Sequence, residues 1–288
     1  MRPNSKGKIK KIIKKYQIYP LKRLGQNFLI NKKAIREIIR AADLKSNDIV
    51  LEIGPGLGVL TYELAKRVRM VIAVERDKRV IEILKDLLKS WNAVDIKIIY
   101  DDILKFKISS LNFKNNYKLV SNLPFYLTAP VIRKFLESKK PPKEMVLVVQ
   151  KEVGERICAK SKKMSILAVS VQFYAQAKFV SYISKKSFWP QPKVDSAIIK
   201  IKPILPKSYN RSFFARIKNR GLFFRIVKAG FSQPRKQLIN NLAKGLKIER
   251  EKVKKWLLKN NIQTNQRAET LSIKDWEELT KNYKLFIR

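Results

Sequence analysis

Histidine is absent from the 288-residue chain. With it go the usual general base, the Ser-His type of triad and every histidine metal site, so any chemistry here proceeds without imidazole. There is one cysteine, Cys158, which excludes an internal disulfide and a cysteine cluster for zinc. That usage fits a reducing, cytoplasmic setting, and no metal is expected. Acids are scarce, with 23 Asp and Glu against 64 Lys and Arg, for a formal net charge of +41. A field of that size implies a polyanionic partner, nucleic acid above all, although a generally Lys-rich proteome would account for part of it. No apolar run approaches the ~18 residues of a membrane span, and the N-terminal stretch lacks the apolar segment of a signal peptide. A soluble, unexported protein without membrane contact is expected.

Glycine is also sparse, with nine in the chain, and three of them, Gly54, Gly56 and Gly58, fall within five residues. They lie in Val50-Leu-Glu-Ile-Gly-Pro-Gly-Leu-Gly-Val-Leu-Thr61, which reads as a buried strand, a glycine turn and the start of a helix. A backbone needs glycine where φ is positive or where a ligand lies against the main chain. The turn is therefore a candidate seat for a nucleotide-like cofactor.

Further strands repeat the arrangement. Strand Ile49 to Ile53 is followed by helix spacing over Leu57 to Arg67 and by strand Met70 to Val74, ending at Glu75. Glu75 stands 21 residues beyond Gly54, at the tip of the second strand of a βαβ unit, where a carboxylate can accept both hydroxyls of a ribose. A helix over Lys78 to Leu88 leads to strand Ile96 to Tyr100, which stops at Asp101-Asp102, a pair able to accept from an adenine amine. Strand Tyr117 to Ser121 runs into Asn122-Leu-Pro-Phe-Tyr126. Ligands of open α/β sheets bind at the carboxyl ends of strands, so all four turns are expected to converge on one rim.

The flanks differ in composition. Residues 1 to 23 hold nine Lys or Arg and no acid; Lys8 to Tyr16 has the spacing of a short basic amphipathic helix, but a disordered tail is the expected free state, with an RNA-contacting arm as its functional reading. A polar turn, Leu24 to Leu29, precedes a helix over Lys32 to Ala42. A strand over Met145 to Gln150 and later strands near Leu167 to Ala175 and Ala197 to Ile201 complete the sheet. Phe188-Trp-Pro-Gln-Pro-Lys-Val-Asp-Ser196 between the last two is expected to be a rigid loop, since its prolines bar it from a central strand. From Pro206 the pattern is helical, with candidates Phe213 to Ala229, Gln233 to Ala243, Glu249 to Asn260 and Ile273 to Leu279, and 21 bases against six acids. The organisation expected is a basic tail over 1–22, an α/β domain with a mixed, mostly parallel sheet over 23–205, and a small all-α domain over 206–288.

The glycine turn departs from the dinucleotide pattern, because its third glycine comes one residue early. Glu-x-Gly-x-Gly-x-Gly suits S-adenosylmethionine, which has no pyrophosphate to seat on the helix. Asn122-Leu-Pro-Phe125 suits the other reactant. An adenine exocyclic amine is a poor nucleophile, and acceptors for its two hydrogens, the Asn122 side chain and a backbone carbonyl held rigid by Pro124, favour the attacking geometry. Phe125 or Tyr126 can stack on a base taken out of its helix.

Together, Leu24-Gly-Gln-Asn-Phe-Leu29, Glu52-Ile-Gly-Pro-Gly-Leu-Gly58, Asn122-Leu-Pro-Phe125, Gln150-Lys-Glu-Val153, Pro190-x-Pro-x-Val-Asp-Ser196 and Gln266-Arg-Ala-Glu-Thr-Leu271 resemble the ribosomal RNA adenine dimethyltransferases of the KsgA type, from about residue 22 to 280. The resemblance implies a Rossmann-like methyltransferase fold and S-adenosylmethionine as methyl donor. It assigns cofactor contacts to Asn27, Leu29, Gly54, Gly56, Glu75 and Asp102, and puts Asn122 at the junction with the target base, in a catalytic segment comprising Asn122, Leu123, Pro124 and Phe125. Phe125 replaces the family's usual tyrosine, which keeps stacking and removes a hydroxyl. The implied substrate is a pair of adjacent adenosines in the 3′-terminal hairpin of small-subunit (16S) rRNA, dimethylated during ribosome maturation by a monomer. The alternatives are a large-subunit rRNA methyltransferase of the antibiotic-resistance type and a non-catalytic RNA-binding assembly or transcription factor on the same fold.

Overall fold

The computed structural model describes residues 5–21, 24–89, 95–111, 117–204 and 219–286. Its centre is a seven-stranded sheet made of β2 (Ile49–Ile53), β3 (Met70–Glu75), β4 (Ile96–Tyr100), β5 (Tyr117–Asn122), β6 (Met145–Gln150), β7 (Ala175–Ile183) and β9 (Ser196–Pro203). Across the sheet the order is β4-β3-β2-β5-β6-β9-β7. β2 through β6 pair in parallel and β9 runs antiparallel to β6. Val50, Leu51, Val71, Leu119, Val120 and Val146 to Val149 are fully buried, as strands covered on both faces require. From β2 the chain builds outward through β3 and β4, then returns to add β5 on the other side of β2. The carboxyl ends of β2 and β5 therefore flank the point where strand order reverses, the usual ligand crevice of such sheets.

Helices α2 (Lys32–Ala41), α3 (Val59–Ala65), α4 (Lys78–Lys89), α5 (Thr128–Leu136) and α6 (Lys151–Ile157) link the strands. At the amino end of the sheet a lysine is buried. Lys118 Nζ donates to the carbonyls of Ala42 and Asp43 at 2.9 and 2.6 Å and pairs with Asp48 at 3.0 Å and Glu144 at 3.4 Å. Lys200 joins Glu144 at 2.9 Å and the Ala41 carbonyl at 2.8 Å. The two amines thus satisfy the last carbonyls around the end of α2 and neutralise two carboxylates.

Two compact units are present, one of residues 1–155 and 176–203, the other of 156–175 and 204–288. The second packs α7 (Ile166–Gln172) with α8 (Arg220–Gly230), α9 (Leu238–Leu246), α10 (Arg250–Lys259) and α11 (Ile273–Phe286) around the fully buried Trp256 and Trp276. The first part of the helix expected from Phe213 falls largely outside the described residues.

Three expectations are corrected. The stretch near Leu167 is helix α7, not strand: Ser165 caps it by accepting from Ala168 N, and Ala168, Val169 and Val171 form one buried face. The edge strand β7 begins only at Ala175 and carries an alternating burial pattern. Residues 6–16 are not a free tail but helix α1 (Lys6–Tyr16), with Ile9, Ile12 and Ile13 buried against Phe28, Leu57, Tyr62 and the α4 residues Ile83, Leu84 and Leu87. Burial of each isoleucine contributes roughly 1.5–3 kcal/mol, which fixes the segment. The proline segment after Phe188 is not wholly loop, because β8 (Phe188–Trp189) pairs antiparallel with β1 (Phe28–Leu29) in a small separate ribbon.

Candidate cofactor and base-binding site

All four strand-end turns line one cleft in the first unit, together with the loop through Asn27. It encloses about 1020 Å³, open solvent at its mouth included. Every residue to which the resemblance assigns a cofactor contact or a catalytic place lines it: Asn27, Leu29, Gly54, Gly56, Glu75, Asp102 and the run Asn122, Leu123, Pro124 and Phe125.

The glycine turn is built as its composition demands. Gly54, Gly56 and Gly58 have φ of 65°, 56° and 78°, the left-handed region that costs other residues strain. Gly54 N donates to the Val74 carbonyl at 2.9 Å, which locks the turn against β3. A Cβ on Gly56 would sit 3.1 Å from the Phe28 ring, so the turn is also where β1 closes down on the main chain.

At the end of β3, Glu75 is buried. Its Oε1 accepts from the backbone N–H groups of Arg76 and Asp77 at 2.7 and 2.9 Å, while Oε2 receives only a long contact, 3.4 Å, from Gly56 N. Burial raises its pKa, and the backbone donors oppose that shift. Oε2 is thus the oxygen left to accept a ligand hydroxyl. Asp102 is held in a turn of its own: Oδ1 accepts from Leu104 N at 2.9 Å, and Oδ2 pairs with Arg76 at 3.3 Å. Lys134 of α5 donates to the carbonyls of Leu104 and Phe106 at 2.8 and 2.7 Å and so pins that turn. Glu52, at the end of β2, is almost wholly buried and its Oε2 has no hydrogen-bond partner; burial, with the charge of Glu75 added, pushes its carboxyl up to about 8.

Asn122 closes β5. Its Nδ2 donates to the Asn27 carbonyl at 3.1 Å, so its amide has a fixed orientation with Oδ1 left as acceptor. In the segment that follows, the Pro124 carbonyl accepts from Leu127 N at 2.9 Å and the Phe125 carbonyl from Thr128 Oγ1 at 3.1 Å. Among the described residues nothing donates to the Leu123 carbonyl. The cleft therefore offers two neighbouring neutral acceptors, Asn122 Oδ1 and the Leu123 carbonyl, beside the half-buried Phe125.

Residues not found from the sequence complete the site. Phe28 and Arg76 line the cleft, the first against Gly56 and the second on Asp102. Gln26 stitches the N-terminal loop to β3: its Oε1 accepts from Leu21 N at 2.8 Å and its Nε2 donates to Asp77 at 3.0 Å. Phe28 and Gln26 lie within the Leu24 to Leu29 turn, whereas Arg76 carries no local signal beyond its place after Glu75.

The ribosomal RNA adenine dimethylase family matches residues 21–284. A ribosomal RNA small subunit methyltransferase A from Dehalococcoides mccartyi is 41% identical over 282 residues, 98% of this chain and 94% of that protein. One of the same name from Alkaliphilus oremlandii is 37% identical over 98% of both chains. Among solved structures, a dimethyladenosine transferase from Plasmodium falciparum is similar with a TM-score of 0.72 at 27% identity, covering 89% of this chain and 98% of that one. The 23S rRNA methyltransferase ErmE shares the fold, with a TM-score of 0.69 at 24% identity over 90% of this chain and all of that one. With a match spanning nearly its whole length, the chain belongs to the ribosomal RNA adenine dimethylase family.

Proposed function

We propose that this enzyme transfers methyl groups from S-adenosylmethionine to the exocyclic amines of two adjacent adenosines in the 3′-terminal hairpin of 16S rRNA, giving dimethyladenosines as the small subunit matures. The observation that carries the reading is the Asn122 amide, oriented by Asn27 beside a free Leu123 carbonyl, in the same cleft as Glu75 and Asp102.

The residues present fit the cofactor. Gly54 and Gly56, at φ of 65° and 56°, hold the turn so that its main chain lines the cleft, Glu75 Oε2 is available to a ribose diol, and Asp102 to an adenine amine once Arg76 yields its place. Asn27 and Leu29 would flank the methionine end. When bound, S-adenosylmethionine supplies a methyl group on a cationic sulfur, an electrophile that needs alignment rather than activation.

The protein's own work is done on the base. Asn122 Oδ1 and the Leu123 carbonyl accept the two amine hydrogens, which draws the lone pair out of conjugation and toward the cofactor. Pro124 fixes the carbonyl that precedes it, and Phe125 stacks on the extruded ring. The amine proton leaves to solvent after transfer, so no histidine is required.

Among the described residues no helix is long and apolar enough to cross a membrane. The reading carries with it a cytoplasmic monomer acting on the small subunit. Incubation with labelled S-adenosylmethionine and immature small subunits, followed by nuclease digestion and mass mapping, should yield dimethyladenosine at two adjacent positions near the 3′ end. Absence of dimethyladenosine would overturn the proposal, and label in large-subunit rRNA would replace it with the large-subunit alternative.

A further inference from the structure

The outward face of α1 plays no part in the cleft. Lys6, Lys8, Lys10, Lys11, Lys14 and Lys15 are all exposed, while Ile9, Ile12 and Ile13 are 0%, 2% and 7% exposed. At ~100° per residue the lysines fan over the whole arc that the isoleucines leave free. The helix contains no acid, and among the described residues none of the six lysines has a carboxylate at ion-pair distance. Lys45, Lys66, Lys89, Lys118 and Lys200 of the same unit each have at least one. Among the described residues other exposed lysines, such as Lys85 and Lys97, do not, so what sets α1 apart is six such lysines on one eleven-residue helix.

This face opposes the helix that carries it. Lys6–Lys10, Lys10–Lys14 and Lys11–Lys15 are like charges one turn apart, and Lys6 and Lys8 sit at the positive end of the helix dipole. Gly7 lowers helix propensity further. The apolar stripe and the bond from Tyr16 Oη to Asp86, 3.3 Å, hold the segment in place nonetheless. A surface that the fold fixes at the cost of self-repulsion is relieved by a polyanion. Beyond the helix, Tyr19 is 78% exposed, an aromatic face beside the charge.

We propose that the lysine face of α1 is a docking surface for the phosphate backbone of RNA, with Tyr19 as a stacking platform at its end. Its inner face packs on Phe28 and Leu57, which line the cleft, so RNA seated there lies against the strut of the cofactor site. A bilayer is the poorer partner, because the apolar face that would enter it is buried in the protein core. That the RNA is the small-subunit substrate rests on the reading of the cleft given above; the surface itself does not.

The test compares full-length wild type, the triple variant K8Q/K11Q/K15Q and a charge-matched control, K66Q/K85Q/K97Q, taken from exposed lysines of the same unit. Binding to a small-subunit rRNA transcript is measured from low to high salt, with thermal unfolding and S-adenosylmethionine affinity as checks on the fold. The α1 variant should bind about tenfold or more weakly, and the slope of log K against log salt should fall by roughly 2, at ~0.7–0.9 for each phosphate no longer neutralised. The control should keep most of both, and cofactor affinity should stay at the wild-type value in all three. Equal affinity and slope in the α1 variant and wild type would overturn the proposal. So would an equal loss in the control, or a loss confined to phosphatidylserine vesicles. Wild type that binds rRNA through α1 yet forms no dimethyladenosine would instead sink only the catalytic reading.

Discussion

The side-chain nitrogen of Asn122 donates to the backbone carbonyl of Asn27 at 3.1 Å, across 95 residues of chain. This bond decides which end of the Asn122 amide faces a substrate. Asn122→Asp should therefore be as damaging as Asn122→Ala, since a carboxylate cannot donate to Asn27 and would meet its carbonyl with a negative charge. By analogy with the loss of one oxyanion-hole group, kcat should fall on the order of 10² in either variant. Single-turnover transfer to rRNA, with cofactor affinity measured separately by calorimetry, distinguishes this from a collapsed cleft. Retained transfer in Asn122→Asp would refute the orientation argument.

Gly56 tests the glycine turn. Gly56→Ala forces a side chain into a φ of 56° and against the Phe28 ring at 3.1 Å. The left-handed conformation alone costs about 1–2 kcal/mol. Stability in urea should fall by about that amount. Cofactor affinity should weaken by an order of magnitude, because relief of the clash moves the turn or Phe28, and both line the cleft. A variant with wild-type affinity would show that the ligand does not approach this backbone.

Much of the site is legible in the sequence for a definite reason. A glycine turn and three polar strand ends are local signals, and parallel strands with all carboxyl ends on one rim bring local signals together without further information. Phe28, Gln26 and Arg76 escape notice because their significance lies in partners elsewhere: Gly56, Asp77 and Asp102. The misread elements share one cause, local pattern overridden by packing. Ile166–Gln172 is rich in branched apolar residues, which favour a strand, yet the Ser165 cap and a single buried face make it a helix. Lys6–Tyr16 is too basic to suggest a packed segment, but three isoleucines at helical spacing find an apolar site made by α4 together with Phe28, Leu57 and Tyr62. The small ribbon of β1 and β8 depends on pairing across about 160 residues, which no local pattern announces.

Lys118 should matter to stability and not to catalysis. Its amine satisfies two carbonyls and pairs with Asp48 and Glu144 at the amino end of the sheet, opposite the cleft. Lys118→Met leaves two largely buried carboxylates short of a counter-charge, a change that typically costs about 3–5 kcal/mol. Urea unfolding should show a loss of that order, with cofactor affinity of the folded protein unchanged at low temperature. A loss below about 1 kcal/mol would mean that Lys200 alone neutralises the cluster.

Glu52 should make stability depend on pH. Its carboxyl is raised from 4.5 to about 8, mainly by burial, so the folded protein keeps a proton that the unfolded chain releases. Below pH 4.5 both states are protonated and the group exacts no penalty. As pH rises from there toward 8, the unfolded state gains by ionising, and stability falls by up to ~1.4 kcal/mol per pH unit from this group. Above that range the folded carboxyl ionises too and the penalty levels off. Glu52→Gln keeps the size and removes the titration, so its unfolding free energy relative to wild type should grow steadily between pH 5 and 8, by roughly 2–4 kcal/mol in total. A difference that stays flat across this range would show that Glu52 is ionised in the folded protein, paired with a group that the buried, partnerless Oε2 does not reveal.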